Sequence, residues 1–525
     1  MTNANSFLAD VAASYPDYLR DESRRTGNAD SISFPKSEAE LRGQLAELFK
    51  SRTPITSQGA RTGITGGAVP NGGHIINLSR MNNVTGIRSL PSEDAFILTV
   101  QPGLRLCDLC IFLEGGKFDT TGWSPESLAT LDELKTRQKY FFPPDPTEAS
   151  ASIGGMVSCN ASGARSFFYG PTRNYIENIR VILADGALLD LKRGAQKTSG
   201  RNFSVTTDNG SHISGILPSY IMPGVKNASG YFAQDNMDLL DLFIGSEGTL
   251  GIFSEIGLKL IPAPSFVWGV MTFFPSEEIA LNFVRMIRLK NPKPTALEFF
   301  DHGSLNLLRK QKETNPAFNA IPSMSPAFHT AIYVEYHGPD EQTVEQACVD
   351  MAEMIAIAGG DSDATWMASD KHYLKALKDF RHALPEAVNL QIDERRRTEP
   401  NLTKLGTDLS VPDDKLDEIM KTYRQDMDKA GLDHVIFGHI GNNHLHVNII
   451  PNSMDEYQRG KSLYLKWAAR VVEMGGSVSA EHGIGKLKTN MLRTMFGVEG
   501  VRQMKEVKAC FDPFNLLNRG NLFET

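Results

Sequence analysis

The chain has 525 residues, of which 41% are hydrophobic and 22% charged, with a formal net charge of -8 and five cysteines. This composition is typical of a globular protein of two or three domains and excludes a strongly basic nucleic-acid-binding protein. Because five scattered cysteines are too few for a disulfide framework, we expect reduced thiols and a cytoplasmic protein.

The first residues, MTNANSFLADVAASYPDYLR, have neither the basic start nor the apolar core of a signal peptide. No stretch approaches the roughly 18 apolar residues that span a membrane. We therefore expect no transmembrane segment. Peripheral attachment to the inner membrane face, through a partner or a surface patch, stays open.

The following region alternates helical and strand patterns. SEAELRGQLAELFKSR predicts a helix, and GLRLCDLCIFLE predicts a second helix with Cys107 and Cys110 on its apolar side. The β-branched runs AFILTVQPG, NIRVILADGALLDLK and LGIFSEIGLKLIPAP predict strands. The polar, glycine-rich stretch at 188–233 predicts a long excursion.

A domain boundary is predicted at 260–265, LIPAPS, after which strand and helix patterns alternate again. Mixed elements of this density favour an α+β fold. We expect a helical N-terminal segment at 1–32, a first domain at 33–265, a smaller α+β domain at 266–475 and a C-terminal segment at 476–525.

Three glycine-rich segments lie in the first domain. They are PITSQGARTGITGGAVPNGG (54–73), PPDPTEASASIGGMVSCNASGARSFFYGPTRNYI (143–176) and DLFIGSEGTLGIFSEIGLKL. Glycine lets backbone N–H groups approach an anion closely. The first segment matches neither the P-loop nor the Rossmann pattern, and alone it is also compatible with a flexible surface loop. Three such segments favour a large ligand with several polar groups.

The stretch FGHIGNNHLHVN (437–448) predicts a β-hairpin, and SVSAEHGIG (477–485) follows a helix. Because side chains alternate along a strand, His444, His446 and Asn448 share one face, with His439 beside the turn. Imidazoles together with the Glu481 carboxylate suit Zn²⁺ or Mn²⁺. Hydrogen-bonded histidines without a metal are the alternative.

Six motifs occur in one order between 54 and 523. They are GARTGITGGAVP, PPDPTEASASIGGMVSCNASGARSFFYGPTRNYI, GSEGTLGIFSEIGLKL, GHIGNNHLHVN, SAEHGIG and FDPFNLLNRGNLF. Together they resemble the FAD-linked oxidases of the vanillyl-alcohol oxidase/p-cresol methylhydroxylase (PCMH) superfamily, in the D-2-hydroxyacid dehydrogenase branch. The resemblance implies a two-lobed PCMH-type FAD-binding domain, an α+β substrate or cap domain with an antiparallel sheet, and a C-terminal segment that returns to the flavin.

The same resemblance implies a set of FAD-binding residues. They are Gly59, Ala60, Arg61, Thr62, Gly63, Pro144, Asp145, Ser152, Gly154, Gly155, Asn160, Gly163, Tyr169, Glu247, Gly248, Ile252 and Asn518. No histidine or cysteine lies between 54 and 73, so we expect noncovalent FAD.

For the metal and the substrate, the resemblance implies His439, His446 and Glu481 as ligands of a divalent metal, with His482 as the general base. Arg381, on a predicted helix, and Lys404 are candidates for the substrate carboxylate, although a helix arginine is more often solvated. Asn448 is a further substrate candidate. His444 replaces the asparagine that is usual in the family, and we favour a substrate contact or a bystander over a metal ligand.

The implied reaction oxidises a D-2-hydroxy acid, D-lactate foremost, to the 2-oxo acid, with the C2 hydride passing to flavin N5. No iron–sulfur cysteine set is present, so the electron acceptor is external: a quinone, a cytochrome, an electron-transfer flavoprotein or a partner subunit. A glycolate or D-2-hydroxyglutarate dehydrogenase, an O₂-using oxidase of another alcohol, an alkyl-dihydroxyacetonephosphate synthase-type transferase and a non-enzymatic flavin subunit are the alternatives. A homodimer stays open.

Overall fold

The structure, a computed structural model, describes residues 7–524. The strands of its N-terminal half are β1 (Leu8–Ala9), β2 (Ser31–Ser33), β3 (Ile55–Gln58), β4 (His74–Asn77), β5 (Val84–Leu90), β6 (Ala95–Val100), β7 (Tyr140–Phe141), β8 (Ile176–Ile182), β9 (Leu188–Lys192), β10 (Asn202–Thr206), β11 (His212–Ile216) and β12 (Ile252–Pro262). The later strands are β13 (Phe266–Phe274), β14 (Ala296–Phe300), β15 (Thr330–Gly338), β16 (Thr365–Ala368), β17 (Leu405–Gly406), β18 (Leu409–Ser410), β19 (His434–His439) and β20 (His444–Ile449).

The helices pack on and between these strands. They are α1 (Val11–Ser14), α2 (Glu38–Lys50), α3 (Leu106–Gly115), α4 (Pro125–Thr136), α5 (Ile153–Cys159), α6 (Ser166–Tyr169), α7 (Leu240–Phe243), α8 (Glu277–Ile287), α9 (His302–Thr314), α10 (Glu341–Ala358), α11 (Lys371–Arg395), α12 (Leu416–Ala430), α13 (Met454–Glu473) and α14 (Thr489–Phe511), which is interrupted at Gly497. Within residues 7–524, no helix is both long enough and apolar enough to cross a bilayer.

Two larger sheets and the two-stranded antiparallel sheet of β10 and β11 form the N-terminal part of the molecule. The first has the order β1-β2-β4-β3, with β2, β4 and β3 parallel. The second is antiparallel, with the order β5-β6-β12-β8-β9 and β7 paired to β12. Helix α2 forms as the sequence predicts, because Ser37 caps its first turn and Leu41, Leu45 and Leu48 recur on one buried face.

One antiparallel sheet organises the region after the predicted boundary. Its order is β16-β13-β15-β14-β19-β20-β17, and β18 also pairs with β20. The chain changes sheets between β12 and β13, at the position of LIPAPS. The predicted α+β fold with an antiparallel cap sheet is therefore confirmed.

One local prediction differs from the structure. Cys110 is exposed and Cys107 is half-buried, because α3 turns only Leu106 and Leu109 fully inward. The prediction that both thiols lie on the apolar side is therefore wrong for Cys110. In the N-terminal segment, the described residues hold one four-residue α-helix, α1, and the segment also supplies β1 and β2 to the first sheet.

Candidate functional site

The predicted hairpin is formed by β19 and β20, whose register sets His439 directly opposite His444. Two residues further along β20, the alternation of the strand brings His446 to the same face. Glu481, from the loop before α14, completes a group in which one donor atom from each residue lies within 4.8 Å of the others. We call His439, His444, His446 and Glu481 the histidine cluster.

His439 is fixed from behind by a carboxylate that the sequence analysis missed. Its Nδ1 lies 2.7 Å from Glu298 Oε1, and its Nε2 faces Glu481 Oε2 at 3.3 Å. Burial opposes a charge on His439, but the Glu298 and Glu481 carboxylates together outweigh it and raise the pKa of His439 to about 9. The orientation of this imidazole is thereby set, with Nε2 directed into the cluster.

His446 is held in a similar way by the backbone. Its Nδ1 lies 2.8 Å from the carbonyl oxygen of Thr407 and acts as donor to it, so its Nε2, 3.5 Å from Glu481 Oε1, is left with a lone pair toward the cluster. Glu481 also accepts a 2.6 Å hydrogen bond from Nζ of Lys226, which comes from the polar excursion. Although burial opposes ionisation, Lys226 and His439 hold the pKa of Glu481 well below its usual range.

A buried aspartate anchors the loop that carries the proposed base. Asp408 accepts hydrogen bonds from the backbone N–H groups of Glu481 and His482, each at 3.1 Å, and from Lys488 Nζ at 2.6 Å. Burial lowers the pKa of His482 to about 4, against the opposing effect of Asp408 and Glu481. His482 is therefore neutral near pH 7 and has a free lone pair.

The substrate candidates are placed unequally around the cluster. Arg381 Nη2 lies 3.4 Å from Glu298 Oε2, which connects this guanidinium to His439. Asn448 is buried on β20, and its Nδ2 donates to the carbonyl oxygen of His446 at 3.3 Å. Lys404 precedes β17, which pairs with the end of β20 that is away from His444. The charged side chain that acts on its ammonium group is that of Arg24, another cation.

A cleft of about 380 Å³ lies beside the cluster, within the range of small-molecule sites. Its walls come from the three glycine-rich segments, the 481–482 loop and the C-terminal segment. Of the predicted cofactor residues, the cleft is lined by Gly59, Ala60, Arg61, Thr62, Gly63, Ser152, Gly154, Gly155, Glu247, Gly248, Ile252 and Asn518. The predicted residues outside its lining are Pro144, Asp145, Asn160, Gly163 and Tyr169.

The walls of the cleft require glycine where chain segments meet. A Cβ on Gly59 would lie 2.0 Å from Ser152 Oγ, and a Cβ on Gly248, where φ is +70°, would lie 2.4 Å from Asn518 Nδ2. The cleft also contains the buried hydroxyl of Ser162, which has no hydrogen-bond partner among residues 7–524. Backbone-lined walls with an unpaired buried donor fit a large polar cofactor such as FAD.

Three functional residues were missed in the sequence: Glu298, Asp408 and Lys226. An acid inside the apolar strand ALEFF was a usable signal for Glu298, because a buried charge needs a partner. Asp408 lies in the same stretch as Lys404 and was passed over. Nothing in the local sequence pointed to Lys226, whose partner is 255 residues away.

Comparison with known proteins identifies two family regions. Residues 264–522 match the C-terminal domain of the FAD linked oxidases, and residues 29–130 and 124–192 match an FAD binding domain. The chain is 30% identical over 510 residues to the probable mitochondrial D-lactate dehydrogenase of Danio rerio, covering 96% of this chain and 86% of that one. It is 28% identical to the glycolate oxidase subunit GlcD of Bacillus subtilis (strain 168), covering 94% and 89% of the two chains.

Solved structures agree on the fold. An alkyldihydroxyacetonephosphate synthase superimposes with a TM-score of 0.62 at 18% identity, covering 98% of this chain and 82% of that one. A 4-ethylphenol oxidase from Gulosibacter chungangensis also gives 0.62, at 16% identity and with 99% and 94% covered. At these identities the likeness concerns the fold alone.

Proposed function

The chain belongs to the FAD-linked oxidases, and on that premise we propose that it oxidises a D-2-hydroxy acid, D-lactate foremost, to the 2-oxo acid. It is an FAD-linked oxidoreductase. The observation that carries the proposal is the position of the 481–482 loop, which belongs both to the cleft wall and to the surroundings of the histidine cluster. A cofactor in the cleft and a substrate at the cluster would therefore share one centre.

FAD in the cleft would supply a two-electron acceptor for the hydride on C2 of the acid. We propose noncovalent binding. Cys159 is the cysteine that lines the cleft, and burial raises the pKa of its thiol to about 12, so the nucleophilic thiolate is disfavoured. The residues named above as the cleft lining are the proposed contacts.

We propose that His439, His446 and Glu481 hold a divalent metal, whose chemistry would be to lower the pKa of the substrate hydroxyl. The donor set fits, because two imidazole nitrogens and a carboxylate converge and each imidazole is oriented by a partner of its own. The neutral ring of His482 would accept the hydroxyl proton as the hydride leaves C2. Loss of that proton and that hydride converts the hydroxy acid into the oxo acid.

Arg381 is the proposed partner of the substrate carboxylate. Its side chain is half-buried, and its buried Nε has no hydrogen-bond partner within residues 7–524. A planar fork with an unused donor suits the two oxygens of a carboxylate. We keep Asn448 and Lys404 as weaker candidates. The reduced cofactor would pass its electrons to an external acceptor, a quinone, a cytochrome, an electron-transfer flavoprotein or a partner subunit.

The test is anaerobic bleaching of the flavin by D-lactate, L-lactate, glycolate, D-malate and D-2-hydroxyglutarate, before and after chelation. We expect fast bleaching by a D-acid, loss on chelation and recovery with Zn²⁺ or Mn²⁺. His482→Asn should retain FAD and lose bleaching, whereas the exposed control His302→Asn should bleach normally. A yellow protein that no 2-hydroxy acid reduces would refute the proposal. Rapid O₂ consumption with another alcohol would favour an oxidase.

A further inference from the structure

His444 is a fully buried histidine in the centre of the cluster. Its ring centroid lies 4.4 Å from that of His446 and 5.3 Å from that of His439. Its side chain is fully buried, so a contact with a bound substrate gains no support from its position.

The surroundings of this ring are asymmetric. Nε2 lies 2.9 Å from Asp408 Oδ1, whereas Nδ1 faces Glu481 Oε2 at 3.8 Å. Asp408 is itself fixed, because Lys488 and Ser479 each donate to its Oδ2 at 2.6 Å. We therefore assign the ring proton to Nε2, beside the carboxylate.

That assignment leaves Nδ1 with a lone pair directed toward Glu481. Both ring nitrogens are buried, and neither makes a hydrogen bond of ordinary geometry within the described chain. Nε2 nevertheless has the Asp408 carboxylate at 2.9 Å, whereas the nearest carboxylate to Nδ1 is that of Glu481, at 3.8 Å. A structural histidine would leave Nδ1 unsatisfied at a cost in free energy, whereas a metal ligand would use it. In a metal-binding histidine, one ring nitrogen usually binds the metal and the other donates to a carboxylate or a carbonyl oxygen. Nδ1 and Nε2 of His444 are placed for these two roles.

The distances permit four ligands on one ion. The donor atoms of the cluster lie within 4.8 Å of one another. Two ligands of one ion, with bonds of about 2.0–2.2 Å, lie about 3.3–3.6 Å apart at the tetrahedral angle and at most about 4.4 Å apart. Side-chain movements of up to about 1 Å would therefore close the set around an ion.

We propose that His444 is a fourth protein ligand, so that this chain binds its metal with three imidazoles and one carboxylate. Binding of the substrate hydroxyl would then enlarge the coordination shell. The inference rests on the proposed metal site and extends it, and it departs from the substrate-contact or bystander role that the sequence favoured. Imidazole-rich sites prefer Zn²⁺ to Mn²⁺ or Mg²⁺, whose preferred ligands are oxygens. His444 therefore directs the site toward Zn²⁺.

The experiment measures the dissociation constants of Zn²⁺ and Mn²⁺ for the metal-stripped, FAD-containing protein by competition with a chromophoric chelator. His444→Asn should weaken Zn²⁺ binding by roughly 30-fold or more and Mn²⁺ binding by less than about threefold. Glu481→Gln should weaken both. His74→Asn, a buried histidine held by Ser31 and Ser33 away from the cluster, should weaken neither.

X-ray absorption at the zinc edge of the unmodified protein gives an independent result, should a variant fail to fold. Three imidazoles around zinc would support the inference, and two would overturn it. An unchanged Zn²⁺ affinity in folded His444→Asn would also overturn it. If the unmodified protein and Glu481→Gln bind Zn²⁺ equally poorly, the metal site itself fails. If the unmodified protein binds Zn²⁺ and Glu481→Gln weakens that binding but His444→Asn does not, the proposed function stands without His444 as a fourth ligand.

Discussion

Glu247 gives the sharpest test of how the cleft is joined to the 481–485 loop. Its carboxylate accepts hydrogen bonds from the backbone N–H groups of Ile484 at 2.6 Å and of Gly485 at 2.7 Å. Glu247→Ala would leave both buried donors unpaired. At about 1–3 kcal/mol for each unsatisfied donor, the loop should lose about 2–6 kcal/mol of local stability. Because this loop carries His482, activity should fall with it.

The direct assay is hydrogen exchange at the amides of Ile484 and Gly485, which should accelerate strongly in Glu247→Ala, together with the rate of flavin bleaching. Glu247→Gln keeps one acceptor oxygen and should give an intermediate effect. The matched control is Glu255→Ala, which removes a half-buried carboxylate from β12, away from the loop. Unchanged exchange and unchanged bleaching in Glu247→Ala would refute the reasoning.

Three further outcomes are expected. Arg381→Met should lower kcat/KM for the D-acid by about 10²-fold with normal FAD content, because a charge-assisted pair of hydrogen bonds is lost; equal kinetics would exclude Arg381 from substrate binding. Lys226→Met removes one of the two cations beside buried Glu481 and leaves His439, so the metal-free protein should lose at most about 3–5 kcal/mol, and Zn²⁺ should raise its Tm more than that of the unmodified protein; a smaller rise contradicts this. Burial lowers the folded-state pKa of His74 from 6.5 to about 4. The contribution of the neutral ring to the free energy of unfolding is therefore full above pH 6.5 and is lost as the pH falls toward 4, by about 3 kcal/mol in total. His74→Gln should flatten the fall of Tm over that range, and an unchanged slope would contradict the assignment.

The pattern of local sequence was sufficient for several of the elements. The spacing of Leu41, Leu45 and Leu48 predicts α2, and alternation predicts that His444 and His446 share a face of β20. Such signals are local, because they depend on residues a few positions apart. The apolar spacing of α3 was less informative, since it did not show how narrow the buried face is, and Cys110 lies outside it.

The site was predictable only in part. Glycine-rich segments and the order of the motifs indicated the cleft and the D-2-hydroxyacid dehydrogenase branch of the FAD-linked oxidases. Lys404 was a candidate because its segment matches the family, and the register of β17 with β20 places it beside the end of β20 that is away from His444. The register of strands that are distant in the chain is a tertiary property, so the sequence could not supply it.

The sequence by itself predicted the fold class, the hairpin and the candidate donors His439, His446 and Glu481, but it favoured a different role for His444. Only the tertiary structure decided what lies behind each donor: Glu298 is 141 residues from His439, and Lys226 is 255 residues from Glu481. The physical reason is that a side chain's identity fixes what it can donate or accept. Its orientation and charge, in contrast, depend on partners that the packing of separate elements brings within hydrogen-bond distance.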